Sequence, residues 1–302
     1  MVQIKKYFVM ANYVDFALYH IRSRLPNFIV DRLTHTLEWE DIVSHIKCCE
    51  VATFNVSSED LLAWVKQLFP EYLGRYNDFR HKKLIEYYMS YRILDPVETH
   101  VFMDAAGGID GYLGRLKCRR RILQDLKIND ESRKVLGEEV VYIQCDAGNI
   151  PLPDESIDRI ACQHSFEHFQ RDIDTAFIQE TQRLLKVGGK CCIIPLFIAD
   201  RYAEITDRIS FRPKFDKDST RILDPTSTIP GRTFSGNYAR IYNLQAFQCR
   251  VLQHIDLSRF KVRFYEMRLD GKLLPDMSLP IHQNVAAVEF PLRALVIEKY
   301  AA

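Results

Sequence analysis

The chain has 302 residues, 47% of them hydrophobic and 27% charged, with a formal net charge of +1. That balance excludes disordered and collagen-like chains, and it leaves no overall positive field to recruit nucleic acid. The length suits one large α/β domain with additions, or two modest domains.

Residues 1–95 are rich in aromatic and charged residues and read as a helical N-terminal extension or cap. "SSEDLLAWVKQLF" (57–69) pairs a helix-start signal with apolar positions at helical spacing. "DFRHKKLIEYYMSYRIL" (78–94) places Leu84, Tyr87, Tyr88 and Tyr91 on one helical face, and Pro96 closes it. From 96 to 302 the pattern is that of a main domain. Strands are expected over 100–105, 121–126, 139–145, 157–162 and 190–198. Between the last two lies an amphipathic helix over 172–189, with Gly188 and Gly189 as its stop. Short apolar strands alternating with helices imply a parallel sheet covered on both faces. Residues 200–241 are long, polar and aperiodic, which marks a substrate-region insertion. A helix over 242–255 and strands over 259–270 and 294–300 complete the chain.

The eight cysteines include two adjacent pairs, Cys48–Cys49 and Cys191–Cys192, and no C-x-x-C spacing. They read as free thiols in a reducing compartment, and no metal site is expected. No apolar run approaches transmembrane length, and no signal-peptide pattern opens the chain, so the expected location is cytoplasmic, without a membrane span.

The chemistry-bearing stretches come in order. "HVFMDAAGGIDG" (100–111) runs from a strand into an acid and a glycine turn, where backbone approaches a ligand. "CDAGNIPLPDESID" (145–158) follows, then "CQHSFEHF" (162–169) and "ETQRLLKVGGK" (180–190). In these blocks the chain resembles the class I S-adenosylmethionine-dependent methyltransferases, specifically their small-molecule branch. The fold so implied is α/β: a Rossmann-like, seven-stranded methyltransferase sheet with helices on both faces. The cofactor implied is S-adenosylmethionine, leaving S-adenosylhomocysteine as product. The resemblance assigns Asp104 to the methionyl ammonium and the Ala106–Gly108 backbone to the floor beneath the donor. Asp125 would take the ribose hydroxyls, Asp146 the adenine amino group and Ala147 a ring nitrogen, with Ile150 on the ring. Gln163 and His164 would line the methionine arm, and Tyr88, or its neighbours Tyr87 and Tyr91, would close the site. Ala106 and Asp110 stand where the family's turn carries glycines; Ala106 also spoils the dinucleotide pattern that a nicotinamide-dependent oxidoreductase would want.

For the transfer itself the candidates are His168, His164 and Glu167, because a hydroxyl acceptor must lose a proton and histidine exchanges one near neutral pH. His168 beside Glu167 is the first choice of base. The bland alternative is that His164 packs and His168 caps a helix. A narrower similarity to methyltransferases of cell-surface polysaccharide and sugar biosynthesis points to O-methylation of a sugar or glycan precursor. Arg232, Arg240, Tyr202 and Tyr242 would serve recognition of such a substrate. A small-molecule N- or C-acceptor and a non-catalytic protein retaining the fold are the other readings.

Overall fold

Apolar residues in the strands alternate between two faces, and each face acquires its own core. Met103, Ile122, Ile160, Cys191 and Leu295 join one cluster, whereas their neighbours Phe102, Leu123, Ala161, Cys192 and Val296 join the other. The Cys191–Cys192 pair therefore points to opposite sides of the sheet, and both thiols are free and buried. The computed structural model describes residues 37–72, 79–108, 112–206, 215–223, 238–276 and 290–301.

The helices are α1 (Trp39–His45), α2 (Ser58–Leu68), α3 (Phe79–Leu94), α4 (Asp130–Leu136), α5 (Ile173–Leu184) and α6 (Leu244–Arg250). The strands are β1 (Glu50–Val56), β2 (Val101–Ala105), β3 (Arg120–Asp125), β4 (Val140–Gln144), β5 (Ile157–Gln163) and β6 (Leu185–Ile194). They continue as β7 (Ala203–Thr206), β8 (Thr220–Leu223), β9 (Tyr238–Ile241), β10 (Phe260–Leu269), β11 (Lys272–Leu273), β12 (Pro275–Asp276), β13 (Phe290–Pro291) and β14 (Arg293–Lys299).

The main sheet has the order β1-β10-β14-β6-β5-β2-β3-β4, with β11 folded back on β10. Strands β2 to β6 run parallel, and β14 alone is inserted antiparallel between β6 and β10. The seven strands from β4 to β10 form the expected Rossmann-like sheet. The chain moves outward from β2 to β3 and β4, then returns to β5 on the other side of β2, so the topological switch lies between β2 and β5. Ligands of such sheets bind at the carboxyl ends of the strands beside that switch. Helix α5 packs on one face, with Phe177, Ile178 and Leu184 buried. Helices α2 and α3 cover the other through Trp64, Val65, Leu84, Met89 and Leu94.

Several expectations change. The N-terminal region is not purely helical: β1 lies parallel to β10 at the sheet edge, from Glu50↔Arg263 to Val56↔Leu269. The helices expected around it are present, and Ser57 caps α2 by accepting from the Asp60 amide. Helix α5 ends at Leu184, and Gly188–Gly189 lie inside β6 rather than at a helix stop. Gly188 has φ +78°, and a Cβ on Gly189 would sit 2.8 Å from the Lys186 carbonyl oxygen, so the pair shapes a strand irregularity. Within 200–241 the described residues build a three-stranded sheet, β8-β7-β9, rather than a bare loop. Among the described residues no helix is long and apolar enough to cross a membrane.

Candidate active site at the carboxyl ends of the parallel strands

Asp104 sits near the end of β2 with 3% of its surface exposed. Burial, reinforced by the charge of Asp125, pushes its carboxyl up to about 8. Its Oδ1 has no hydrogen-bond partner. A buried acceptor left open in this way is costly unless a ligand supplies the donor. The turn that follows is held from both sides. The Ala106 amide donates to Gln124 Oε1 at 3.0 Å, and Ser165 Oγ donates to the Ala106 carbonyl at 2.6 Å. These bonds hold Ala106 at φ +49°, in the left-handed region. The steric demand falls one residue later than the sequence suggests. A Cβ on Gly107 would lie 2.4 Å from Asp104 Cγ, whereas Gly108 faces open space. Asp110 lies outside the described residues.

Asp125 ends β3, and its Oδ1 accepts from the Lys127 amide at 2.9 Å. Burial raises its carboxyl, against the backbone amides of Lys127 and Leu126. Asp146 follows β4 and accepts from the Gly148 amide at 2.8 Å, next to buried Ala147 and Ile150. The loop beyond is clamped by two residues of α5, Glu180 and Arg183. Glu180 accepts from the Ile150 amide at 2.9 Å, while Arg183 donates to the carbonyls of Ile150 and Leu152 and pairs with Asp154. The E-x-x-R spacing places both on one face of α5 and was the available signal.

Gln163 ends β5 with Nε2 buried and unpartnered. His164 follows at φ +51°, its amide donating to the Ile194 carbonyl at 3.0 Å. Its Nε2 pairs with Glu86 of α3, and Tyr87 meets its ring edge-on at 6.1 Å. Glu86, 3% exposed, lies well above the usual carboxylate range because of burial and the nearby charge of Glu167, which together outweigh Lys83. Glu167 is itself 5% exposed, with Oε2 unpartnered. His168 is placed differently. Its Nδ1 meets the Tyr238 carbonyl on β9, so Nδ1 carries the proton, and Nε2 stands 3.6 Å from Glu167. Its side chain is 42% exposed. The geometry thus moves the acid–base candidate from His168 toward His164.

The topology brings Asp104, Asp125, Asp146, Gln163 and His164 to one rim, the carboxyl ends of β2 to β5. Tyr88 does not belong there. It is buried against Trp64 at 5.4 Å, and its hydroxyl accepts from Arg92; Tyr87 is the residue of α3 that faces His164. Arg240 also departs from expectation. It is 1% exposed, between Asp174 at 2.6 Å and Glu204 at 3.1 Å, so it cannot reach a substrate phosphate. Burial works to raise Asp174, but Arg250 and Arg240 outweigh it and hold the carboxyl low. Arg250 also pairs with Asp216, and Tyr238 and Tyr242 donate to Glu204 and Asp174, fixing the small sheet beside the turn after β5. Arg232 lies outside the described residues. A separate cleft of about 530 Å³, lined by Cys48, Cys49, Lys261 and Tyr300, opens at the opposite, amino-terminal ends of β1 and β10.

Residues 118–193, spanning β3 to β6, match the family described as "Methyltransferase domain". That matched stretch is about a quarter of the chain and includes the carboxyl ends of β3, β4 and β5. The chain is an S-adenosylmethionine-dependent methyltransferase. Among similar curated proteins is a ubiquinone/menaquinone biosynthesis C-methyltransferase UbiE of Stenotrophomonas maltophilia, 26% identical over 188 residues, 56% of this chain and 70% of that one. Its counterpart from Xanthomonas oryzae is 33% identical over 82 residues, 27% of this chain and 29% of that one. A solved Burkholderia thailandensis 1,6-didemethyltoxoflavin-N1-methyltransferase aligns at 13% identity over 82% of this methyltransferase and 92% of its own chain, with TM-score 0.44.

Proposed function

We propose that this methyltransferase acts on a small hydroxylated acceptor, with His164 and Glu167 handling the proton the acceptor gives up. The single observation that carries this reading is the buried group at the end of β5: His164 paired to Glu86, with Glu167 Oε2 and Gln163 Nε2 open to a ligand. The donor residues fit S-adenosylmethionine on the structure's own terms. Asp104 Oδ1 is a buried acceptor awaiting a cationic donor, and Gly107 leaves room where a side chain would strike that carboxyl. Asp104 would hold the ammonium, Asp125 the ribose hydroxyls, and Asp146 with the Ala147 amide the adenine edge, with Ile150 beneath it. When bound, the donor supplies a methyl group made electrophilic by the attached sulfonium. The protein contributes orientation, exclusion of water and a base within reach.

A sugar or glycan precursor, methylated on oxygen, is the first acceptor class, because a sugar hydroxyl needs such a base. The second is a hydroxylated ring methylated on carbon; the two relatives named as quinone-biosynthesis C-methyltransferases favour it. Both acceptors must lose a proton, so both use the same group. Incubation with methyl-labelled S-adenosylmethionine, against panels of nucleotide sugars, phosphorylated sugars and hydroxylated quinol rings, separates them, and carbon NMR of the product locates the methyl. Turnover confined to amines, unaffected by His164→Gln, would sink the acid–base reading. Absence of S-adenosylhomocysteine binding by calorimetry, with Asp146→Ala behaving like wild type, would sink the donor assignment.

A further inference from the structure

We infer that Glu86 is the positioning residue for His164: its carboxyl engages Nε2, fixes the direction of the ring, and takes or returns a proton as the opposite ring nitrogen, Nδ1, exchanges one. The inference rests on the proposed role of His164 and deepens it. Glu86 comes from α3, outside the matched residues 118–193, and no local sequence signal links it to His164.

A glutamate 3% exposed inside an aromatic helix face is an unusual filler, because an unpaired carboxylate there is strongly disfavoured. The charged groups facing it are His164, Glu167 and Lys83, the first two from the segment after β5 and the last from its own helix. A ring nitrogen and a carboxyl oxygen facing each other in contact repel unless a proton lies between them. The Glu86–His164 contact therefore holds a proton, on the carboxyl or on the ring, at the same net charge. Burial and the charge of Glu167 hold Glu86 well above the usual carboxylate range, which favours the carboxyl's taking the proton of the contact. Meanwhile the His164 backbone is held in the left-handed region with its amide bonded to the Ile194 carbonyl, and the ring meets Tyr87 edge-on. A pair so oriented can pass a proton without moving heavy atoms.

The test follows the ring and the carboxyl directly, without an acceptor. Protein labelled with ¹⁵N-histidine and ¹³C-glutamate is titrated by NMR, with His164→Gln and Glu86→Gln spectra assigning the two signals. In wild type, the ring nitrogens and the Glu86 carboxyl should titrate as one coupled system, in two shared steps. Glu86→Gln should collapse the ring's titration to a single step and move its midpoint by about one pH unit or more. If Glu86→Gln fails to fold, His164→Gln gives the reciprocal reading, loss of the coupled step from the carboxyl. A wild-type ring that titrates in one step, independent of the carboxyl, overturns the inference and leaves Glu86 a packing residue. Calorimetry of wild-type protein with S-adenosylhomocysteine tests the donor reading separately, since failure there leaves the coupling still measurable.

Discussion

Asp104→Asn separates what a buried acid does to stability from what it does for the donor. The carboxyl has an ordinary value of 3.8 and is pushed to about 8 by burial and the charge of Asp125. Between these limits the folded protein keeps a proton that the unfolded chain has released. Stability is therefore full below about pH 4, falls as pH rises and stops falling above about 8. At pH 7 the accumulated loss is about 4 kcal/mol, some three units at about 1.4 kcal/mol each. Asparagine carries no charge at any pH and should remove that loss. The variant should melt several degrees above wild type at pH 8, with the gap closing toward pH 5, as read by calorimetric scans of ligand-free protein. Donor binding should respond oppositely. An ammonium pairs with the ionised carboxyl only, so wild-type affinity for S-adenosylhomocysteine should rise about tenfold per unit from pH 6 toward 8. In the variant it should be weak and nearly independent of pH. A variant less stable than wild type at pH 8, together with flat wild-type affinity from pH 6 to 8, would refute the reasoning.

Gly107→Ala should force a Cβ to within 2.4 Å of Asp104 Cγ, displacing that carboxyl; calorimetry should read at least a tenfold loss of S-adenosylhomocysteine affinity, whereas Gly108→Ala, facing open space, should bind nearly normally. Arg240→Met leaves Glu204 without its guanidinium and Asp174 with Arg250 alone, so unfolding free energy from denaturant titration should fall by about 3–5 kcal/mol. Because Asp174 is held below the usual carboxylate range, the stability it contributes is present above pH 4 and lost on acidification, and the gap between variant and wild type should narrow there. Arg183→Ala frees two carbonyls and the Asp154 partner, so hydrogen exchange over residues 150–154 should speed up and stability should drop by about 1–3 kcal/mol.

The parallel core was legible because its strands are short apolar runs between helices, a pattern with one sensible packing. Where the reading erred, the deciding partner was distant. "EVATFNV" alternates like an edge strand, but its role depends on β10, which local sequence does not reveal. "RLLKVGG" continues an apolar helical face past Leu184, yet strand pairing from Ile157↔Leu185 to Gln163↔Ile194 claims those residues. Arg240 and Tyr88 looked available for ligands because their residue types often are; burial beside Asp174 and against Trp64 gave them other work. In the site, the strand-end acids announced themselves by position. Gln124, which braces Ala106, and Glu86, which meets His164, carried no motif at all. Their significance lies in three-dimensional adjacency.

The pairing of β1 with β10 also bears on how the chain is made. Glu50 and Arg263, partners in that ladder, are 213 positions apart. At about 5–20 residues per second, a ribosome leaves β1 waiting roughly 10–40 s for its neighbour. During that interval a β-prone heptapeptide is emerged but unmated, open to pairing with other nascent chains. That ladder is thus seeded by a segment made long before its partner, and yield in a cell should depend on shielding that early strand as well as on the thermodynamic strength of the finished sheet.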